Sequence, residues 1–355
     1  MRPRQGRPSN SKTSFSKSHP EASDPLRMRV AAIDIGSNSI RLLVGDVGRN
    51  DAGGYMIRTI ARAGEPCRLA RGLGETGRIA SDLSARAASL AREFAERARA
   101  LGASHVVAGA TAALRDAANG GEVADEISAA CGVVVRILAG EDEARLIYRS
   151  VVTGLGASAQ RSACVVFDLG GGSTEVVSGL GTSPGRWTSL PFGAVTLTER
   201  FLQSNPPSPE ERAALEAHAR EHIMRDCALL PERTPMLAGV GGTITVLALL
   251  DRGLSHYDPA LIEGWAIGPE RFAGLVERLL STPIDQRRAW PAMGEGRADI
   301  IVAGVLVVRE LVRRFPSGSL HCSTQGLRYG LARLAAEEAG DGRIPESSAP
   351  GGRPS

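Results

Sequence analysis

Short apolar runs alternate along the chain with longer stretches whose apolar residues recur at helical spacing. Residues 30–34 and 41–47 read as two strands around a tight turn of Gly, Ser and Asn. Residues 83–101 carry the three- and four-residue spacing of an amphipathic helix. A strand at 104–109, a helix at 122–131 and a strand at 133–138 follow. A helix over 141–152 then opens with three acids. From about Ser162 the alternation restarts, with strands at 163–168 and 174–178. Ser208 and Glu211 form a capping box at the head of a long helix. A strand at 237–240 runs into Gly241-Gly242-Thr243 and an apolar helix, and helices at 297–315 and 326–337 follow. Strands and helices in this alternation predict an α/β fold.

One segment occurs twice. Ala31-Ala32-Ile33-Asp34-Ile35-Gly36-Ser37-Asn38-Ser39 returns as Val165-Val166-Phe167-Asp168-Leu169-Gly170-Gly171-Gly172-Ser173. Each copy is an apolar strand, an Asp, a turn of Gly and hydroxyl residues, and another strand. A dinucleotide-binding turn would lead into a helix instead. Two such copies predict a duplicated, two-lobed molecule with a cleft between its halves.

The length of 355 residues suits one large domain or two mid-sized ones. The formal charge of +3 is uneven. Residues 1–27 hold Arg2, Arg4, Arg7, Lys12, Lys17 and Arg27 against Glu21 and Asp24, which leaves the remainder slightly acidic. This segment is expected to be a disordered basic tail, with Met28 a candidate for the true start. A second disordered tail is expected at 339–355. No lysine follows Lys17, so a Walker-type, Schiff-base or catalytic lysine is excluded from the body. Aromatic residues make up 4%, which gives no platform for stacked bases, and no nucleic-acid partner is expected. Five scattered cysteines without a Cys-x-x-Cys pair suggest reduced thiols and a cytoplasmic protein. The most apolar run, 300–308, is too short to span a bilayer, so no membrane partner is expected.

The repeated turns are the main candidate chemistry. Glycine allows close approach and lets backbone N–H groups form an anion nest, to which the serines and Asn38 add donors. An Asp at the strand end accepts only, and suits Mg²⁺ or its water shell. Between the copies lies Gly140-Glu141-Asp142-Glu143. Three acids there favour the helix macrodipole, which is reason enough for Glu141 and Asp142. Glu143 is a candidate general base. Arg115 could fork onto phosphate oxygens, or pair with Asp116 or face solvent. Gly239, Gly241, Gly242 and Thr243 form a third turn, before a helix, and offer its N-terminus to a nucleotide or a distal phosphate. His218, Glu221 and His222 match a His-x-x-Glu-His zinc pattern, but no third ligand is evident downstream.

Together the segments 34–39, 111–119, 140–148, 168–175, 239–243 and 297–299 resemble the exopolyphosphatase/guanosine-pentaphosphatase family, in order and spacing over about residues 29–337. The resemblance implies an actin-like pair of ribonuclease-H-like lobes with an interdomain cleft. Lobe I would hold residues 28–141 and about 322–338, and lobe II residues 142–321. It implies release of the terminal phosphate of polyphosphate with Mg²⁺ or Mn²⁺. The alternatives are guanosine pentaphosphate or another nucleotide as substrate, and a non-catalytic polyphosphate or alarmone sensor. A homodimer is a further expectation. By the same resemblance Glu143 activates water, and Asp168, Gly170 and Glu175 hold the metal. Asp34, Gly36, Ser37, Asn38, Ser39, Arg115, Gly171, Gly172 and Ser173 contact phosphate. Two departures stand out: Asp142 where Glu is common, and Tyr329 where an acid is common. The helical C-terminal region of longer relatives is missing, which suggests short polyphosphates or nucleotides.

Overall fold

Both faces of strand β1 (Arg29–Ile35) are buried, and its two sets of alternate side chains enter different cores. That double burial explains its unbroken apolar run and organises the molecule. The computed structural model describes residues 28–49, 54–294 and 296–340. The tail expected at 1–27 lies outside them, as do residues 341–355 of the second tail. Residues 339 and 340 instead complete the last helix, Leu327–Gly340.

β1, β2 (Ser39–Arg49), β3 (Tyr55–Pro66), β4 (His105–Ala110) and β5 (Val135–Ile137) form a five-stranded sheet in the order β3-β2-β1-β4-β5. The first three strands are antiparallel, and β4 and β5 join in parallel. Helices Ser81–Ala100 and Gly120–Cys131 cover one face. Leu83, Ala87, Ala91, Phe94 and Ala98 point inward from the first of these, at the spacing its sequence predicts.

The second sheet uses β6 (Ala163–Leu169), β7 (Thr174–Leu180), β8 (Ser183–Leu190), β9 (Met236–Gly241), β10 (Ala266–Ile267) and β11 (Leu320–Cys322), in the order β10-β11-β9-β6-β7-β8. Taken from β8, its first five strands repeat the order and directions of the first sheet. The repeated segment is thus the visible trace of a duplicated lobe. Each lobe has the ribonuclease-H-like topology, and the pair is actin-like.

Each lobe has its own core, and a third core lies between the two sheets. Helices Gly140–Leu155 and Leu327–Gly340 fill it, packed on Val30, Ala32 and Leu43 of one sheet and on Val166, Val177 and Ala238 of the other. A Cβ on Gly330 would stand 2.8 Å from the Cβ and the carbonyl oxygen of Leu146, so only glycine lets these helices touch there. Each fully buried leucine or isoleucine in these cores contributes about 1.5–3 kcal/mol.

Some elements escape the sequence pattern. β3 is half exposed along much of its length, and β8 is an edge strand containing Pro184 and Gly185. β10 and β11 are too short to show a period. The helix expected from 297 begins at Ile301, because residues 296–300 form a turn that sends Arg297 towards Gly242. His218 and His222 pack against each other, with ring centroids 4.2 Å apart, and against Phe192. His222 Nδ1 lies 2.9 Å from the His218 carbonyl oxygen. The pair serves packing. All five cysteines are buried and free. Among the described residues no helix is long and apolar enough to cross a membrane.

Candidate active site

The first hairpin of each lobe ends in a turn of the same build. The Gly36 amide donates to the Ser39 carbonyl at 3.1 Å, and the Gly170 amide to the Ser173 carbonyl at 3.0 Å. None of the turn glycines has a positive φ. What they supply is room: a Cβ on Gly36 would sit 3.2 Å from the Ser39 carbonyl oxygen, and one on Gly170 3.0 Å from that of Ser173. The turns also meet. A Cβ on Gly171 would stand 3.6 Å from that of Asn38.

Each turn is gripped from behind by its carbonyls. The Cys67 and Arg68 amides donate to the Asn38 carbonyl at 2.9 Å, and the Ala70 amide to that of Ser37 at 3.1 Å. In the second lobe the start of helix Ala194–Phe201 does this work. Ala194 donates to the Gly170 carbonyl at 3.0 Å, and Val195 to that of Gly171 at 2.9 Å. A planar trans peptide points its N–H away from its carbonyl. The amides of Asn38, Gly171 and Gly172 are therefore turned away from these grips. They find no acceptor among the described residues. Opposed amides of this kind make a cradle for an anion.

Three buried acids, Asp34, Glu143 and Glu175, and the half-buried Asp168 surround the cradle. Asp34 and Asp168 end their strands at equivalent positions. Burial raises the Asp34 carboxyl, opposed by Arg41 and Arg328. Asp168 is pushed up to about 7, by burial and then by Glu175, its partner across the ladder. Glu175 is raised by burial, against hydrogen bonds from the Ser189 hydroxyl at 2.9 Å and from Ser173. Glu143 enters from helix Gly140–Leu155 and is 6% exposed. Burial and then Glu175 push it up to about 8, while Arg115 pulls it down. Arg115 Nη1 donates to Glu143 Oε2 at 2.9 Å and to the Leu138 carbonyl at 3.2 Å. Asp116, which the sequence suggested as its partner, stands further off at 3.6 Å.

Arginines form the other flank. Arg41 lies opposite Asp34 in the ladder and donates from Nε to the Ser39 hydroxyl at 3.0 Å. Arg297 reaches the Gly242 carbonyl at 3.3 Å. Arg328 makes no hydrogen bond or ion pair with the described residues. Its burial, and then Arg41, push it down to about 10. Arg297 and Arg328 are half-buried and Arg41 is exposed, and none of the three makes an ion pair with the described residues. Clustered cations of this kind are poised for an anionic ligand. Sequence reading gave none of the three a role, although Arg297 lies in the 297–299 segment that carries the family resemblance. Arg41 was the most accessible of them, since its place opposite Asp34 follows from the four-residue turn.

Residues 47–336 match the profile of the Ppx/GppA phosphatase family. The chain belongs to that family. It is 36% identical over 291 residues to exopolyphosphatase 2 of Mycobacterium tuberculosis, covering 80% of this chain and 90% of the relative. The crystal structure of the Aquifex aeolicus member of the Ppx/GppA family is 30% identical, with a TM-score of 0.76, over 89% of this chain and 99% of that one. An exopolyphosphatase from Cytophaga hutchinsonii shares the fold, with a TM-score of 0.76 at 22% identity over 89% and 98% of the two chains. The protein is accordingly a phosphohydrolase.

In this Ppx/GppA phosphatase the expected residues divide. Asp34, the 36–39 turn, Arg115, Glu143, Asp168, the 170–173 turn and Glu175 gather around the cleft. Of the third turn, Gly241 and Gly242 border it: a Cβ on Gly241 would lie 3.3 Å from Asp168 Oδ1, and one on Gly242 3.5 Å from Arg297 Cζ. Gly239 instead packs on Phe167 and Ile244, and Thr243 against Gly304. Asn119 is taken up by two hydrogen bonds to the Ile79 backbone at 2.9 Å. Asp168 and Glu175 could hold a hard divalent cation, whose charge would relieve their mutual repulsion. Such an all-oxygen set fits Mg²⁺ or Mn²⁺. The Gly170 carbonyl already accepts from Ala194 and keeps one lone pair for this. No group of three or more acidic, His or Cys side chains among the described residues is arranged to hold a metal alone. Water and phosphate oxygens would have to complete the shell, as is usual for Mg²⁺.

Proposed function

We propose that this cleft hydrolyses the terminal phosphoanhydride bond of inorganic polyphosphate. The observation that carries the reading is the pair of opposed turns whose amides have no acceptor, with Glu143 beside them. The amides of Asn38, Gly171 and Gly172 receive the terminal phosphoryl group. Arg41, Arg297 and Arg328 take the phosphates behind it. Glu143 accepts a proton from water, and the water oxygen attacks the terminal phosphorus. The bond to the bridging oxygen breaks, and the shortened chain leaves with that oxygen as its new end. Arg115 orients Glu143. Asp168 and Glu175 would hold Mg²⁺ or Mn²⁺, which when bound would supply positive charge against the phosphate oxygens.

The name of the mycobacterial relative supports polyphosphate as the substrate. Guanosine pentaphosphate drew its support from the 239–243 turn, of which only Gly241 and Gly242 border the cleft. A binding-only sensor has no use for an acid that Arg115 orients beside the cradle. A cytoplasmic location belongs to the same reading, supported by five free thiols. The test is phosphate release with Mg²⁺ from polyphosphates of several lengths, guanosine pentaphosphate and ATP. Faster release from guanosine pentaphosphate overturns the choice of substrate. Binding of polyphosphate without release overturns the hydrolase.

A further inference from the structure

The two lobes touch at the far end of the arginine flank. Arg62, on β3, donates from Nη1 to the Tyr257 hydroxyl at 2.5 Å. Its guanidinium also lies 5.7 Å from the centre of the Tyr257 ring. Tyr257 belongs to the second lobe, between helices Gly242–Arg252 and Pro259–Ile262, and is 43% exposed. Among the described residues this is the one side-chain hydrogen bond between residues 28–138 and 163–322. All other contacts between those parts run through packing or through the two helices of the shared core.

The pair is built asymmetrically. Arg62 is anchored in the first lobe, where Nη2 meets the Tyr329 hydroxyl and, at 3.4 Å, Thr59 Oγ1. Tyr329 is itself held by Thr59 at 2.7 Å. Tyr257 has no other hydrogen-bond partner among the described residues, so it is the half that can let go. The register of β2 with β3 sets Arg41 opposite Gly64 and Leu43 opposite Arg62. Arg41 and Arg62 therefore share the face of the sheet that fronts the second lobe. Glu143 neighbours Arg115, Glu175 and Asp34, and Asp168 neighbours Arg41 and Arg328. Arg328 in turn neighbours Arg62 and Tyr257, and Arg297 neighbours Tyr257, so the Arg62–Tyr257 pair adjoins the arginine flank and not Glu143.

We propose that Arg62 and Tyr257 form a clasp across the outer end of the cleft that sets the preferred length of the phosphate chain. This rests on the polyphosphate reading. A short chain lies between Glu143 and the clasp and leaves it closed. A long chain must part it, at the cost of one hydrogen bond to a charged donor. The parted Arg62 then faces the polymer. Tyr257 acts through Arg62 and is a positioning residue, so its effect belongs in the ratio between substrates and not in turnover of a short one.

The experiment compares Tyr257→Phe with the unmodified chain on tripolyphosphate and on a polymer of several tens of phosphates, with Mg²⁺. The ratio of kcat/KM, long over short, is expected to rise about tenfold, through KM for the long polymer. Turnover of tripolyphosphate should change by less than about twofold, within the effect of a typical surface substitution. Tyr257→Ala should behave alike. An unchanged or lowered ratio overturns the clasp. Calorimetric binding of the same two polymers separates this from the hydrolase reading. If the unmodified chain binds both but releases no phosphate, hydrolysis fails alone, and the clasp stands or falls on whether Tyr257→Phe raises the long-to-short affinity ratio. If it binds neither, both fail.

Discussion

The two hairpins share a turn closed by a glycine amide, carbonyls gripped from behind, and an aspartate at the end of the leading strand. They part at the residue across the ladder from that aspartate. Arg41 stands opposite Asp34, whereas Glu175 stands opposite Asp168. The last serine of the first turn follows this split, its hydroxyl accepting from Arg41 Nε at 3.0 Å, whereas Glu175 accepts from Ser189. The first hairpin balances its own charge. The second doubles its negative charge and needs a cation from outside. On the proposed reading, one cross-strand position gives two copies of one backbone different tasks: a jaw for phosphate and a jaw for metal.

The strongest way to test this division is Glu143→Gln, since Glu143 leans on the metal jaw through Glu175. We expect kcat to fall by about 10²–10⁴ while polyphosphate still binds. On the proposed mechanism Glu143 must be ionised to act in the unmodified enzyme. Without a cation it sits at about 8. Activity should therefore rise with pH, along a limb whose midpoint lies between the ordinary glutamate value and about 8 and moves down as Mg²⁺ is added. That limb should vanish in the glutamine variant. Stability carries the opposite sign. A carboxyl raised in the folded state destabilises it as pH rises towards 8, so the cation-free protein should lose melting temperature there, and Glu143→Gln should lose less.

Next comes Glu175→Gln. Outer partners of a metal are worth about 10- to 100-fold, so a ligand should cost at least the upper figure in kcat/KM. The stabilisation on adding Mg²⁺, about 2.7 kcal/mol at a hundredfold excess over Kd and read as a rise in melting temperature, should disappear with it. Arg41→Gln should do the reverse. The Mg²⁺ shift stays, and KM for polyphosphate rises about tenfold, the worth of one hydrogen bond to a charged group. If both variants lose the Mg²⁺ shift alike, the jaws are not specialised. The smallest effect is expected at the grip on the first turn. Arg68 there has φ 56°, a left-handed conformation that costs an ordinary residue about 1–2 kcal/mol. Arg68→Gly should stabilise the fold by up to about 1 kcal/mol after its entropy cost, read by thermal unfolding, with activity unchanged.

The sequence carries the duplicated strand–turn–strand units clearly, because their apolar runs, aspartates and glycines are local. It also brings Glu143 into view, as one acid of a helix lying between the copies. Arg328 and Arg297 were not legible as cleft residues. Their neighbours are set by how the last helix and the 296–300 turn return to the site, and no local period encodes that. Tyr329 is instructive in the same way. It looked like a missing acid, whereas its hydroxyl anchors Arg62. Thr243 was the converse, a hydroxyl in a promising turn that the helix directs against Gly304.

The core shared by the two sheets bears on how the chain is made. One face of the first sheet is covered by helix Leu327–Gly340, roughly two hundred residues after β5. At a synthesis rate of about 5–20 residues per second, that face waits roughly 10–40 s for its cover. Val30, Ala32 and Leu43 lie open during that interval. The nascent first lobe therefore keeps an apolar sheet face exposed to aggregation until helix Leu327–Gly340 leaves the ribosome.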